Sequence, residues 1–109
     1  RLLAAAPLDC VFPVVAYDFP IQRALRVTAD GRAAMFQPEH FTTRSQDLEP
    51  AYHDAGQWYW GTRDAWLAGR PIFSPASRAV VLPASRVQDI DTAEDWERAE
   101  LMFRALAEQ

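Results

Sequence analysis

Two aspartates near the end of the sequence, Asp89 and Asp91, have the spacing that most directly suggests chemistry. On an extended backbone both carboxylates project to the same side, while Ile90 points the opposite way into the core. Two like charges ~4 Å apart repel by about 4 kcal/mol at an effective dielectric of about 20, and a Mg²⁺ ion shared with phosphate oxygens relieves this repulsion. The pair therefore predicts a magnesium site. The alternative is that both residues only stabilise the start of the helix that follows them.

A polar loop upstream carries Arg44 and Gln46. A planar guanidinium can grip a carboxylate or a phosphate in two places, so Arg44 is a candidate anion-binding residue. Its alternative role is an internal ion pair with Asp47 or Glu49. The amide of Gln46 is a candidate for hydrogen bonding to sugar hydroxyls, or else a satisfied loop amide.

Aromatic residues cluster after Gly56, in the run Gln57-Trp58-Tyr59-Trp60. Aromatic rings offer a flat apolar surface and, in Tyr59, a polar hydroxyl, which together suit a sugar. Packing in the core or at a subunit interface is the favoured interpretation for the tryptophans. Further along, core packing is one interpretation of Phe73.

Other reactive residue types carry little signal. His40 and His53 lack a metal-ligand spacing, and neighbours such as His53 and Asp54 point to opposite sides of an extended chain. Cys10 lies in an apolar stretch, which predicts a small core residue rather than a reactive thiol.

Composition excludes several classes of protein. A net charge of −4 argues against general nucleic-acid binding, which needs a basic face. All 11 basic residues are arginines, so this segment has no lysine for a Schiff base or a phosphate loop. The apolar runs are too short to cross a bilayer, and a single cysteine suits a reducing cytoplasm. We therefore expect a cytoplasmic protein that binds neither membranes nor nucleic acid.

The elements that would position these residues are a mixture of strands and helices. Residues 11–17 predict a strand that Pro13 confines to a sheet edge or a bulge. Residues 21–28 and 32–36 flank Asp30-Gly31, which predicts a β-hairpin. Residues 37–56 predict an ordered loop, and further strands are predicted at 57–60, 79–82 and 87–90.

Two helices are predicted from their capping residues. Thr62 is a candidate N-cap for a short helix that closes at Gly69 and Pro71. Thr92 with Asp95 resembles a capping box for the last helix, whose apolar face is predicted to hold Trp96, Ala99, Met102, Phe103 and Leu106.

Three segments together resemble pseudaminic acid cytidylyltransferases, relatives of the CMP-sialic acid and CMP-KDO synthetases. They are PIQRALR, QPEHFTTRSQDLEPAYHDAGQWYWG and VQDIDTAEDWERAELMF. The resemblance implies a doubly wound nucleotide-binding α/β domain of the nucleotide-diphospho-sugar-transferase type. Residues 1–109 would be its C-terminal half, with a hairpin and loop region at 21–56 and a sugar- and metal-binding region at 57–109. The glycine- and lysine-bearing CTP loop of the family is not among these residues.

The resemblance also implies an activity: the coupling of CTP to an acidic nine-carbon sugar such as pseudaminic acid, which gives a CMP-sugar for the glycosylation of surface proteins such as flagellin. Asp89 and Asp91 would hold the catalytic Mg²⁺, Tyr59 and Phe73 would line the sugar pocket, and the hairpin would serve a homodimer. The isolated segment is expected to be inactive. The alternative is a non-catalytic module that dimerises or binds acidic sugars.

Overall fold

The computed structural model describes residues 8–108 of the chain, and within them the α/β class predicted from the sequence is confirmed. The strands in this part of the chain are β1 (Cys10–Ala16), β2 (Leu25–Val27), β3 (Ala33–Met35), β4 (Tyr52–Asp54), β5 (Trp60–Gly61) and β6 (Ser77–Val81). The α-helices are α1 (Arg63–Ala68) and α2 (Ala93–Ala107). No helix between residues 8 and 108 is long and apolar enough to span a bilayer.

The chain divides into two compact units. One unit comprises residues 8–15 together with residues 54–108, and the other comprises residues 16–53. The first unit contains most of the mixed sheet, in which β1 lies between β6 and a broken edge formed by β4 and β5. β1 is parallel to β6 and antiparallel to β5.

The strand β1 occupies the centre of this sheet, so the predicted edge position is wrong. The missing N–H of Pro13 is tolerated because it would point away from β6. The Val14 carbonyl faces the β6 side and accepts a hydrogen bond from the Leu82 N–H at 2.9 Å. The Asp9 carbonyl faces the β5 side and accepts one from the Thr62 N–H at 2.9 Å. The carbonyl of Pro13 faces the broken edge, where it accepts from Ala55 at 3.1 Å. Its nitrogen faces the same edge, so the β6 ladder loses no donor.

The broken edge forms a bulge next to Pro13. Trp60 lies opposite Val11, and Ala55 bonds to Pro13. The chain thus takes five residue steps, from Ala55 to Trp60, where β1 takes two, so three extra residues loop out. Gly56 starts this loop with a φ of 71°, a left-handed conformation that disfavours any residue with a Cβ. The aromatic strand predicted at 57–60 is consequently reduced to its last residue.

The core of the first unit forms around β1. Cys10, Phe12 and Val14 are buried on one face, with Ile72 packed against them. Burial is the main reason that the pKa of the Cys10 thiol is raised. The predicted role of Cys10 as a core residue is therefore confirmed.

The second unit contains the predicted hairpin. β2 and β3 pair antiparallel, with Leu25 opposite Met35 and Val27 opposite Ala33, and Gly31 has a φ of 86° in the turn. The segment before β2 differs from the prediction, because Ile21–Arg23 forms a 3₁₀ turn. The loop that follows is ordered, as predicted, by 3₁₀ turns at Pro38–His40 and Ser45–Asp47. The prediction of a loop up to residue 56 is wrong at its end, because Tyr52–Asp54 forms β4.

Both predicted helices and their caps are confirmed. Thr62 accepts a hydrogen bond from the Ala65 N–H at 3.2 Å, and Gly69 closes α1 in the left-handed conformation. Thr92 and Asp95 form a reciprocal capping box at the start of α2. The strand predicted at 87–90 is absent, because this segment pairs with no other strand and follows a 3₁₀ turn at Ala84–Arg86.

The apolar face predicted for α2 is only partly covered within the described residues. Ala99, Met102 and Leu106 are half-buried. Trp96 and Phe103 are exposed and, with Ile90, line a groove of about 330 Å³.

Candidate functional site

The carboxylate of Asp89 lies against Gly56. A Cβ added to Gly56 would meet the carboxylate carbon of Asp89 at 3.5 Å and both of its oxygens at 3.6 Å. An added Cβ would meet Asp89 only at ordinary van der Waals distance, so it is the φ of 71° that favours glycine at this position. This contact joins two parts of the first unit that are far apart in the sequence.

The backbone at Asp91 is fixed by the start of α2. The N–H groups of Asp91 and Thr92 donate to Asp95 Oδ2 at 3.0 and 3.1 Å. The bond from Asp91 is the main cause of the lowered pKa of Asp95. The helix-stabilising carboxylate is therefore that of Asp95, and the side chain of Asp91 is not needed for capping.

Neither candidate metal ligand is neutralised by an arginine. The ion pairs found among residues 8–108 include neither Asp89 nor Asp91. In the same part of the chain, no three His, Cys, Asp or Glu side chains gather as a metal site. Mg²⁺ commonly takes one or two carboxylates and completes its shell with water and phosphate oxygens, so the lack of a third ligand leaves Asp89 and Asp91 as candidates.

Tyr59 is tied to Asp54 across the bulge. The Tyr59 hydroxyl donates to Asp54 Oδ2, and Asp54 Oδ1 accepts the Gly56 N–H at 3.0 Å. The hydrogen bond to Asp54 is the main cause of the raised pKa of Tyr59, and burial and the negative charge of Asp89 raise it further. Asp54, Gly56, Tyr59 and Asp89 thus form one polar cluster.

An aromatic surface adjoins this cluster. The ring of Phe12 lies 6.0 Å from that of Tyr59 and 5.3 Å from that of Phe73, measured between centroids and tilted by 40° in both pairs. Phe73 is 70% exposed, so it is not a core residue within the described part of the chain. The structure therefore brings Tyr59 and Phe73, both predicted to bind substrate, to the same core ring.

The other two predicted substrate-binding residues, Arg44 and Gln46, lie in the second unit. Arg44 Nε donates to Asp47 Oδ2 at 2.9 Å, which is one of the ion pairs considered from the sequence. Gln46 lies in the 3₁₀ turn Ser45–Asp47. Both residues remain candidates.

Sequence reasoning missed the role of Asp54. Asp54 was considered only as a neighbour of His53, whose ring instead lies 5.0 Å from that of Tyr17, centroid to centroid. A usable signal was present in Asp54-Ala55-Gly56, because an aspartate two residues before a glycine commonly accepts the backbone N–H of that glycine. The bond to Tyr59 had no local signal.

Comparison with known proteins shows which curated proteins the chain is similar to. No family model matches the chain. Two curated proteins named pseudaminic acid cytidylyltransferase, from Campylobacter jejuni serotypes O:2 and O:23/36, are each 44% identical over 94 residues, or 86% of this chain. A Helicobacter pylori protein is 52% identical over 52 residues, which is 48% of this chain and 10% of that protein. Its name joins a pseudaminic acid cytidylyltransferase with a UDP-2,4-diacetamido-2,4,6-trideoxy-β-L-altropyranose hydrolase.

These matches support the resemblance found in the sequence: over 94 residues the chain is similar to curated pseudaminic acid cytidylyltransferases. It spans 40% of the length of the two Campylobacter relatives.

The Tyr59–Asp54 contact predicts a measurable titration. We expect the Tyr59 phenol to titrate above its ordinary pKa of 10.0, because its ionisation would place a second negative charge beside Asp54. With ¹³Cζ-labelled tyrosine, the signal of Tyr59 is assigned by its loss in Tyr59→Phe. Unfolding the chain in urea should lower the pH at which half of the Tyr59 phenol is ionised. If the Tyr59 phenol titrates at the same pH in the folded and the unfolded chain, the contact with Asp54 is contradicted.

Proposed function

We propose that this chain forms the sugar- and metal-binding part of a cytidylyltransferase that couples CTP to an acidic nine-carbon sugar. The observation that carries the proposal is the 44% identity over 94 residues to a curated pseudaminic acid cytidylyltransferase, in a chain whose Asp89 carboxylate lies beside Gly56 and forms none of the ion pairs found among residues 8–108. In the reaction, a sugar hydroxyl oxygen bonds to the α-phosphorus of CTP. The bond to the β-phosphate breaks, and pyrophosphate leaves.

Asp89 and Asp91 are the residues that would hold Mg²⁺. The bound ion would offset negative charge on the triphosphate during the displacement. The Asp89 carboxylate lies beside Gly56, while the backbone of Asp91 is held by Asp95. The protein's contribution is therefore to keep two carboxylates available for the ion without committing either to another cation.

Tyr59 and Phe73 would receive the sugar. Both rings contact Phe12, so the core of the first unit supports them. Arg44 and Gln46 are proposed to bind the sugar carboxylate, phosphates or hydroxyls. The Arg44–Asp47 pair does not oppose this role, because both side chains are largely exposed and such pairs contribute little free energy.

Several wider features of the family belong to the same proposal. They are a doubly wound parent domain, a cytoplasmic location and use of the CMP-sugar for glycosylating surface proteins such as flagellin. The mixed sheet and C-terminal helix of the chain are compatible with such a domain.

The roles of Asp89 and Asp91 are tested in a chimera in which this chain replaces the matching residues of the Campylobacter jejuni protein. We expect Asp89→Asn and Asp91→Asn each to lower the rate of pyrophosphate release from CTP and pseudaminic acid more than about tenfold, because each removes a metal ligand. Glu97→Gln removes a charge from an exposed position on α2 and should leave the rate within about twofold.

Circular dichroism should show that each variant is as folded as the parent chimera. Retention of more than a tenth of the rate by either aspartate variant would contradict its role as a metal ligand. A folded parent chimera that binds CTP but releases no pyrophosphate would contradict the proposed function.

The hairpin of β2 and β3 is proposed to contact a second copy of the chain in a homodimer. Two-stranded hairpins are marginal unless they pack on something. Leu25 and Val27, which project from the same side of β2, are 57% and 68% exposed. An apolar hairpin face of this kind suits a subunit interface.

The interface is tested by sedimentation across a range of protein concentrations. We expect Val27→Asp to weaken dimerisation at least about tenfold, since it buries a charge in an apolar contact. Ala34→Asp is the matched control, because Ala34 pairs with Arg26 and projects from the opposite face of the hairpin. Equal effects of the two substitutions, or a wild-type chain that is monomeric at all concentrations, would contradict the proposed interface.

A further inference from the structure

The Asp54 carboxylate is held by two different groups of the bulge. One oxygen accepts the Gly56 N–H at 3.0 Å, and the other accepts the Tyr59 hydroxyl proton. The first bond closes a local turn, which fixes the carboxylate relative to the backbone. The second bond then fixes the direction of the Tyr59 hydroxyl.

A phenol has one proton to donate and lone pairs with which to accept. Because the Tyr59 hydroxyl donates its proton to the hydrogen bond with Asp54, its oxygen can only accept a hydrogen bond from a ligand. Donation to an anion also increases the electron density on the phenol oxygen, which strengthens any bond that it accepts. Tyr59 is 37% exposed, so a ligand can reach it.

The surroundings of Tyr59 favour the same arrangement. The charged groups that act on it, Asp54, Asp89 and the Cys10 thiolate form, are all negative, and each raises the pKa of Tyr59. A tyrosine in such a field keeps its proton and points it towards the nearest anion. On the other side, the exposed ring of Phe73 offers an apolar surface to the part of the ligand beside the donor.

We propose that Asp54 is a positioning residue: it accepts the hydrogen bond from the Tyr59 hydroxyl and so leaves the Tyr59 oxygen as an acceptor for a hydroxyl or acetamido N–H of the bound sugar. This inference rests on the proposed function for the identity of the sugar. It concerns a residue that contacts Tyr59 and not the reacting atoms.

The test uses binding of pseudaminic acid to the 109-residue chain, followed by NMR chemical shifts in metal-free buffer. We expect Asp54→Asn to weaken binding about tenfold, since a charge-assisted hydrogen bond that orients the acceptor is lost. Tyr59→Phe should weaken binding to a similar extent. The double variant should bind no more weakly than the single ones, because both substitutions remove the same acceptor.

Asp64→Asn is the matched control, because Asp64 is an exposed aspartate in the first turn of α1, and its sugar affinity should equal that of the wild type. A second readout needs no ligand. At neutral pH, the Tyr59 ¹³Cζ signal in Asp54→Asn should move towards its position in the urea-unfolded chain, whereas in Asp64→Asn it should stay in place.

Three results would overturn the inference. They are an unmoved Tyr59 signal in Asp54→Asn, an unchanged sugar affinity in that variant, or losses from the two single variants that multiply in the double variant. Failure of the proposed function would look different: the folded chimera would release no pyrophosphate, while the Tyr59 signal would still respond to Asp54→Asn.

Discussion

A proline in the middle of the central strand is the constraint on which the candidate site depends. Pro13 leaves the β6 ladder intact because its nitrogen faces the opposite edge, where Ala55 bonds to its carbonyl. Pro13 has no N–H, so it cannot donate a second bond to the neighbouring segment. Beyond Ala55 that segment leaves the sheet as a bulge. The polar cluster and the aromatic surface are both built on that bulge.

Once the chain has left the sheet, short-range contacts arrange the site. Asp54 binds the Gly56 N–H and the Tyr59 hydroxyl, while the Phe12 ring, which lies next to Pro13 in the sequence, supports Tyr59 and Phe73. The Asp89 carboxylate lies beside Gly56, whose left-handed backbone starts the bulge. A rigid strand thus holds groups from three separate segments beside one another, as a binding site for a charged sugar and a metal ion requires.

Features determined by a few neighbouring residues could be predicted from the sequence, and features that depend on distant pairing could not. The caps at Thr62 and Thr92 and the Asp30-Gly31 turn form as predicted, since each depends on residues within one or two turns. The central position of β1 depends on strands about 40 to 70 residues away, so of the two interpretations of Pro13 the sheet edge is wrong, while a bulge does form in the segment opposite it. Residues 87–90 have a strand-like composition but no strand to pair with. In the candidate site, Asp89, Tyr59 and Phe73 were named from the sequence as candidate residues. The hydrogen bond between Tyr59 and Asp54 was missed because hydrogen bonds across a bulge leave no periodic pattern in the sequence.

The proposed site for a divalent ion consists of the Asp89 carboxylate, which lies beside Gly56, and of Asp91. Substoichiometric Mn²⁺ added to the ¹⁵N-labelled chain tests it directly, because the ion broadens the NMR signals of nearby amides. The account predicts that broadening is strongest at Gly56 and at residues 89–91, and that Asp89→Asn abolishes it. Broadening centred on the exposed glutamates of α2, with the Gly56 signal unchanged, would contradict the account.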